Sequence, residues 1–280
     1  MDIEKTFASI QLHIKNEEYG KVRPMVDTIA DPSDDPRILL KCASLLKAVD
    51  DEDGCQRILD KVARMTVSGA GDRLMIARSL RGLGRPEEAY GMMADEDDDD
   101  MMLYEKAATL RLMGRNRDAL SKIRKITSMT SEHRMLMTEI LCSAGEFEEA
   151  HDISLQLVED DDASYASLVN LCGTLMLMGR NKEAIKTAKQ HLKEDKKDVD
   201  SLALNAYVMR INGRIPAAAN FAHRALSVDS RHKGALETMA FCLIEKSRLK
   251  EAKMCAGAIN EISPGDPAAI RILDACRRSA

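Results

Sequence analysis

The chain has 280 residues, enough for one or two ordinary domains or for one extended array. Aromatics make up 3% of it and Trp is absent, while Ala, Leu, Met, Glu, Lys and Arg dominate, which argues against a sandwich or barrel and for helices. A net charge of −5 gives no general attraction to nucleic acid or to an anionic membrane, and no apolar run approaches the roughly 18 residues that a membrane span needs.

Taken in order, the chain reads as helix pairs joined by tight turns. The turn residues are Glu17, Asp50, Gly84, Gly114, Gly145, Gly179, Gly213 and Ser247, with steps of 33, 34, 30, 31, 34, 34 and 34 residues. Periods of this size mark a helical solenoid. Five residues after each turn stand Val22, Cys55, Ala89, Ala119, Ala150, Ala184, Ala218 and Ala252. Seven before it stand Ile10, Ala43, Ala77, Ala107, Thr138, Cys172, Ala206 and Ala240, and four before it His13, Leu46, Leu80, Leu110, Leu141, Leu175, Met209 and Leu243. Small residues at two fixed places let two helices approach closely, and a large apolar residue at the third fills the space between them.

Helix starts agree with this register. Asp35-Pro36 and Asp266-Pro267 each read as an N-cap followed by proline at the first helical position, and Thr130, Asp162 and Asp200 open later first helices. The repeats then run over 3–35, 36–69, 70–99, 100–130, 131–164, 165–198, 199–232 and 233–266, with a solvating cap helix over 267–280. The two short steps, 84 to 114 and 114 to 145, predict second helices clipped by about one turn of ~3.6 residues, near Met93 and Thr127. One continuous array without a linker is expected, the part up to Ala94 being able to move as a unit.

The small residue, the leucine and the following Gly-Arg-x-x-Glu-Ala resemble the tetratricopeptide repeat (TPR) family over the whole chain. The match is clearest in Gly84-Arg-Pro-Glu-Glu-Ala89, Gly145-Glu-Phe-Glu-Glu-Ala150 and Gly179-Arg-Asn-Lys-Glu-Ala184. An aromatic two residues past the turn stands at Tyr19 and Phe147, and the family's closing proline at Pro264. The family's early large residue is Leu39, Leu103, Leu168, Leu202 and Leu236, interrupted by Arg73 and Arg134. The resemblance implies an all-α fold: a right-handed superhelical solenoid of antiparallel helix pairs, about eight repeats plus a C-terminal capping helix. It also implies a non-enzymatic protein-interaction scaffold or adaptor whose first helices line a concave groove.

In that register the groove positions lie 13, 10, 6 and 3 residues before each turn. Lys47, Arg78, Arg81 and Arg111 would form a basic strip across repeats two to four, and Tyr104, Met135, Met176, Tyr207, Arg210 and Phe241 also fall on groove positions. Arginine and aromatics are the usual anchors of an interface, although these arginines could equally be solvated or paired with nearby acids. The family's carboxylate clamp needs Lys and Asn at set groove positions, where this chain holds Leu40, Ser44, Leu74 and Arg78, so capture of a chaperone tail is unsupported. The expected partner is a protein or peptide, an acidic or amphipathic segment held in the groove. A nucleic-acid-binding helical repeat is a second reading, disfavoured because Glu4, Glu132, Glu139, Asp200 and Glu237 interrupt the groove. A third is a non-catalytic subunit packed permanently on an enzyme or on a second copy of itself through Met92, Met93, Met101 and Met102.

No catalytic signature, phosphate loop or dinucleotide fingerprint is present, and no two His stand at helical ligand spacing. The acidic runs Asp50–Asp53, Asp95–Asp100 and Glu159–Asp162 read as solvated turns favouring the next helix N-terminus rather than as cation sites. Cys42, Cys55, Cys172 and Cys242 fall on buried stripes, where cysteine acts as a small hydrophobe. No catalytic residue, metal or cofactor is expected. The opening Met1-Asp-Ile-Glu-Lys lacks the basic-then-apolar pattern of a secretory leader, and scattered cysteines suit a reducing, cytoplasmic setting.

Overall fold

The computed structural model describes residues 2–16, 18–67, 69–94, 98–160, 163–194, 197–263 and 266–279. Glu17, the acids at 95–97, Asp161, Asp162 and Pro264 lie outside the described residues. Among those described there are seventeen α-helices, a single 3-10 turn at Tyr19–Lys21 and no strand. The helices are α1 (Ile3–Lys15), α2 (Val22–Ala30), α3 (Pro36–Ala48), α4 (Glu52–Ala63), α5 (Ala70–Gly82), α6 (Pro86–Met93), α7 (Asp100–Leu112), α8 (Asn116–Ile123) and α9 (Ser131–Ala144). They continue with α10 (Phe147–Asp160), α11 (Tyr165–Leu177), α12 (Asn181–Glu194), α13 (Val199–Ile211), α14 (Ile215–Val228), α15 (Lys233–Ile244), α16 (Leu249–Ile262) and α17 (Pro267–Arg278). The chain divides into two compact units, Met1–Asp98 and Asp99–Ala280. The first holds three helix pairs; the second holds five pairs and α17. Within the second unit each odd-numbered helix packs on its own partner and on the next odd-numbered helix.

The columns read from the sequence form the core. All eight residues five places after the turn have no exposed area, and all eight residues seven places before it are buried. From Leu46 to Leu243 the large apolar column is buried as well; only His13, in the first repeat, is half-exposed. Truncating one of these leucines to Ala would cost about 2–5 kcal/mol through lost burial and the cavity left behind.

The same leucine column closes the turns. Arg85, Arg115, Arg180 and Arg248 donate their backbone N–H to the carbonyls of Leu80, Leu110, Leu175 and Leu243 at 2.8–2.9 Å. This six-residue closure needs one residue in the left-handed region. Gly84, Gly114, Gly145, Gly179 and Gly213 supply it with φ of 72–88°, and Asp50 and Ser247 do so with φ of 62° and 57°. The arginine of Gly-Arg-x-x-Glu then pairs with the acid three residues on: Arg85 with Glu88, Arg115 with Asp118, Arg180 with Glu183, Arg248 with Glu251. Arg85 also reaches back to Gln56 at 2.6 Å and Asp60 at 2.9 Å on α4, tying one second helix to the preceding one.

Helix starts follow a further column. Fifteen residues before seven of the eight turns stand Asp2, Asp35, Asp99, Thr130, Ser164, Asp198 and His232, and each accepts a backbone N–H of the helix it precedes; before Gly84 the place is held by Gly69, which offers no side-chain cap. Asp266 likewise caps α17. α11 is capped by Ser164, while the expected Asp162 lies outside the described residues. One expectation is corrected: α13 is capped by Asp198, whose carboxylate accepts from Ser201 N at 2.7 Å. Asp200 sits inside the first turn of α13 and bonds His232 instead. The arginines that interrupt the early large-residue column bond locally, Arg73 to the Val67 carbonyl at 2.7 Å and Arg134 to Asp160 at 2.5 Å.

The clipped second helices are α6 and α8, of eight residues each against fourteen in α10, α12, α14 and α16. α6 ends at Met93 as expected. α8 ends at Ile123, short of Thr127, because the backbone N–H groups of Thr127 and Ser128 turn to the Asp100 carboxylate at 2.9 Å.

Two substitutions separate the turn from its surroundings. Gly179→Ala forces a Cβ into the left-handed region and is expected to cost about 1 kcal/mol, whereas Ser247→Gly removes that strain and is expected to stabilise by up to about 1 kcal/mol. Urea denaturation of the two variants checks the opposite signs.

Candidate functional site

The residues expected to form a basic strip fall in both units. In the first, Lys47 lies in the last turn of α3 with its Nζ 3.7 Å from Glu52 and its side chain largely buried. Arg78 is exposed and Arg81 half-buried, one turn apart on α5. Arg111 belongs to the second unit and lies on α7.

In the second unit the groove column has two different characters. Over α7 and α9 its polar groups answer one another. Arg111 Nη2 lies 3.0 Å from Glu139 Oε2, and the Tyr104 hydroxyl donates to Glu132 at 3.0 Å with its ring 5.3 Å from the His133 imidazole. Met135 is half-buried beside them on α9. Farther along, Met176 Sδ accepts from Asn212 at 3.3 Å.

Over α11, α13, α15 and α17 the arrangement changes. Tyr207, Arg210 and Phe241 come together, with the Arg210 guanidinium 5.9 Å from the Tyr207 ring centre and 4.9 Å from that of Phe241. Arg210 and Tyr207 line a cavity of ≈ 270 Å³, together with Tyr165 and Val169 from α11, residues of the first turns of α15, and Ala268 and Arg271 from α17. Two ion pairs stand in its wall: Lys233 with Asp266 at 2.9 Å, and Arg271 with Glu237 at 2.8 Å. Among the described residues Arg210 has no carboxylate within ion-pair distance, and its Nε is buried without an acceptor. Burial raises the pKa of the Tyr165 and Tyr207 phenols, so both remain protonated donors at neutral pH.

The cavity is held open by close approaches. Tyr165 crosses from α11 to α15, where a Cβ added to Gly234 would stand 2.1 Å from the Tyr165 hydroxyl oxygen. Tyr207 lies over Gly173 in a looser way, at 3.2 Å by the same measure. His232 fixes the other side of Tyr165. Its Nδ1 accepts from Ala235 N, its Nε2 lies 2.9 Å from Asp200, and the two rings meet edge to face at 5.0 Å. The accepting Nδ1 leaves the proton on Nε2, directed at the carboxylate.

Tyr165, Lys233, Asp266 and Arg271 were not among the sequence candidates. The groove column, continued into α17, would have found Arg271, which follows Glu237 by 34 residues. Reading α17 only as a solvating cap hid its groove face. Tyr165 lies one residue outside the groove columns.

The remaining candidates have local roles. Asp99 caps α7 and Asp100 clasps the Thr127–Ser128 backbone; Asp51 caps α4 and pairs with Arg23 at 3.1 Å. Among the described residues no three His, Cys, Asp or Glu side chains are grouped to hold a metal ion. Burial pushes the Cys42 thiol up to about 11 and that of Cys172 to about 12, which keeps them protonated packing groups. No described helix is long and apolar enough to cross a membrane.

No protein-family model and no curated protein matches the chain. Solved structures similar to it include TPR proteins. The TPR domain of P58(IPK) aligns over 100% of this chain and 98% of that one at 14% identity, with a TM-score of 0.35. A tetratricopeptide repeat protein from Parabacteroides merdae aligns over 86% and 98% at 10% identity, TM-score 0.49. Yeast Tom70 aligns over 94% of this chain and 59% of its own at 11% identity, TM-score 0.49.

Gly234→Ala is expected to destabilise by about 1–3 kcal/mol through its clash with Tyr165, and Tyr165→Leu to relieve most of that cost, a coupling that a double-mutant denaturation cycle measures. Asp100 gives a pH-dependent signature. The backbone N–H of Thr127, then that of Ser128, holds its carboxyl below the ordinary 3.8. A depressed pKa stabilises the fold fully above about pH 4 and loses that effect as pH falls through the lowered value. The stability gap between the natural chain and Asp100→Asn should therefore be constant from neutral pH to about 4 and close below it, as followed by urea midpoints.

Proposed function

We infer that the chain is a non-catalytic protein-interaction scaffold, its repeats and cap helix acting as one array that holds an acidic or amphipathic peptide segment along its odd-numbered helices. The observation that carries this reading is the second unit's cavity, where two tyrosines, with Phe241 beside them, surround an arginine that no carboxylate of the described chain neutralises. Aromatics and arginine at the centre of a partly enclosed surface are the groups that supply most of the affinity at interfaces. Lys47, Arg78, Arg81 and Arg111 would steer an acidic segment, with Tyr104, Met135 and Met176 as further contacts, each exposed enough to be reached except Lys47, which is largely buried. Cysteines without disulfides suit a reducing compartment, and the reading puts the scaffold in the cytoplasm.

Selection of a random dodecapeptide library on the full-length chain tests it. A recurrent family of acidic or amphipathic peptides is expected, with affinity falling as salt rises. Arg81→Glu combined with Arg111→Glu is expected to weaken the selected peptides by about tenfold or more. A library from which nothing is enriched overturns the peptide-groove reading. Enriched peptides that bind the double variant unchanged remove the two arginines from it.

A further inference from the structure

We propose that the cavity between α11, α13, α15 and α17 is a receptor for one carboxylate of the bound peptide, with Arg210 as its cation and the Tyr165 and Tyr207 hydroxyls as its neutral donors. The inference rests on the peptide-scaffold reading and deepens it by naming where a carboxylate binds.

The first argument is a comparison within the chain. Arg111 and Arg210 occupy the same place, three residues before their turns, on α7 and α13. The residue that the next repeat sets against Arg111 is Glu139, which takes its charge at 3.0 Å. The corresponding residue against Arg210 is Phe241, which offers only a ring face at 4.9 Å. An aromatic face attracts the guanidinium but accepts none of its N–H bonds in the plane. Arg210 is thus oriented by Phe241 and Tyr207 while no carboxylate takes its charge; its buried Nε lacks an acceptor among the described residues, as does that of Arg111. A cation partly removed from water without a counter-ion is unfavourable, and an anion arriving there relieves it.

The second argument is the donor inventory. Tyr165, Tyr207 and Arg210 all line the cavity, and neither tyrosine hydroxyl has a hydrogen-bond partner among the described residues. Burial raises both phenol pKa values, so each still has a proton to give. Three side chains that carry donors without acceptors line one space, which calls for an acceptor-rich group. The wall charges say how much charge it should bring. Lys233 and Arg271 are matched by Asp266 and Glu237, leaving the single positive charge of Arg210. A carboxylate balances it. A dianionic phosphate would place a second charge against Glu237 and Asp266. The ≈ 270 Å³ of space suits one or two side chains rather than a whole cofactor.

The experiment uses the full-length chain and dodecapeptides selected on it. Each selected peptide is expected to contain one Glu, Asp or free C-terminus whose neutralisation, by Glu→Gln, Asp→Asn or amidation, weakens binding about tenfold or more. Which neutralisation acts tells a side-chain carboxylate from a terminal one. Arg210→Met is expected to cause a similar loss for the charged peptide and no further loss for the neutralised one. Because Arg210→Met also changes the packing against Phe241, the Tyr165→Phe, Tyr207→Phe double variant removes only the two hydroxyls, and severalfold weakening confined to the charged peptide is expected. Peptides that bind equally well after neutralisation, or that lose the same factor with Arg210→Met whether charged or neutral, overturn the receptor while leaving the scaffold reading intact. Replacement of the carboxylate by phosphoserine with tighter binding overturns it in favour of a phosphate site. A library that yields no peptide overturns both.

Discussion

Close approach of helices through two columns of small side chains is the constraint on which the rest depends. Residues such as Ala184 and Ala206 have no exposed area, so the helices that carry them meet almost at backbone distance. Helices so placed leave room for one large residue between them, which is why leucine recurs four positions before the turn. That leucine's carbonyl also closes the turn, and closure dictates a left-handed residue after it. Spacing, turn and packing are therefore one requirement seen three times. The face of the odd-numbered helices turned away from these contacts is the part of each repeat that remains free to vary.

How that face varies decides what each repeat can bind. Over α7 and α9 the chain meets its own charges: Arg111 with Glu139, Tyr104 with Glu132. Such a surface is electrically quiet, and a ligand must displace an existing partner to use it. Over α13 and α15 aromatic rings replace the acids. A cation held against rings keeps most of its hydrogen-bonding capacity, because the ring attracts charge without accepting the N–H groups. Swapping one acid for one phenylalanine in the next repeat thus turns an internal ion pair into an open receptor.

The fold was legible in the sequence wherever one residue type had one physical reason to be there. The glycines mark left-handed turns and the alanines mark helix contacts, and both stand where the structure needs them. The N-cap column, broken at Gly69, is read correctly at Asp35, Thr130 and Asp266 and missed elsewhere, because Asp, Thr, Ser and His all perform the same hydrogen bond and do not look alike in a string. Asp200 reads in the sequence as the start of a helix, while the capping geometry belongs to Asp198, two residues earlier. The candidate site was legible only in part. Tyr207, Arg210 and Phe241 lie on regular groove positions. Tyr165 enters the cavity by reaching across a repeat, and Arg271 by continuing the column into a helix that carries no turn of its own. Periodicity predicts contacts between neighbours and is silent about those that skip one.

The contact between Tyr165 and Gly234 is of that skipping kind, joining α11 to α15 past α13. Repeat arrays ordinarily behave as one-dimensional chains in which each unit is coupled to its immediate neighbours alone. A link between units two apart changes that statistics. The sixth and eighth repeats share an interaction that exists only when the seventh is also folded between them, so partial fraying of this segment loses more than one interface at a time. The three repeats become a cooperative block inside an otherwise modular chain, and the cavity they enclose exists as a whole or not at all.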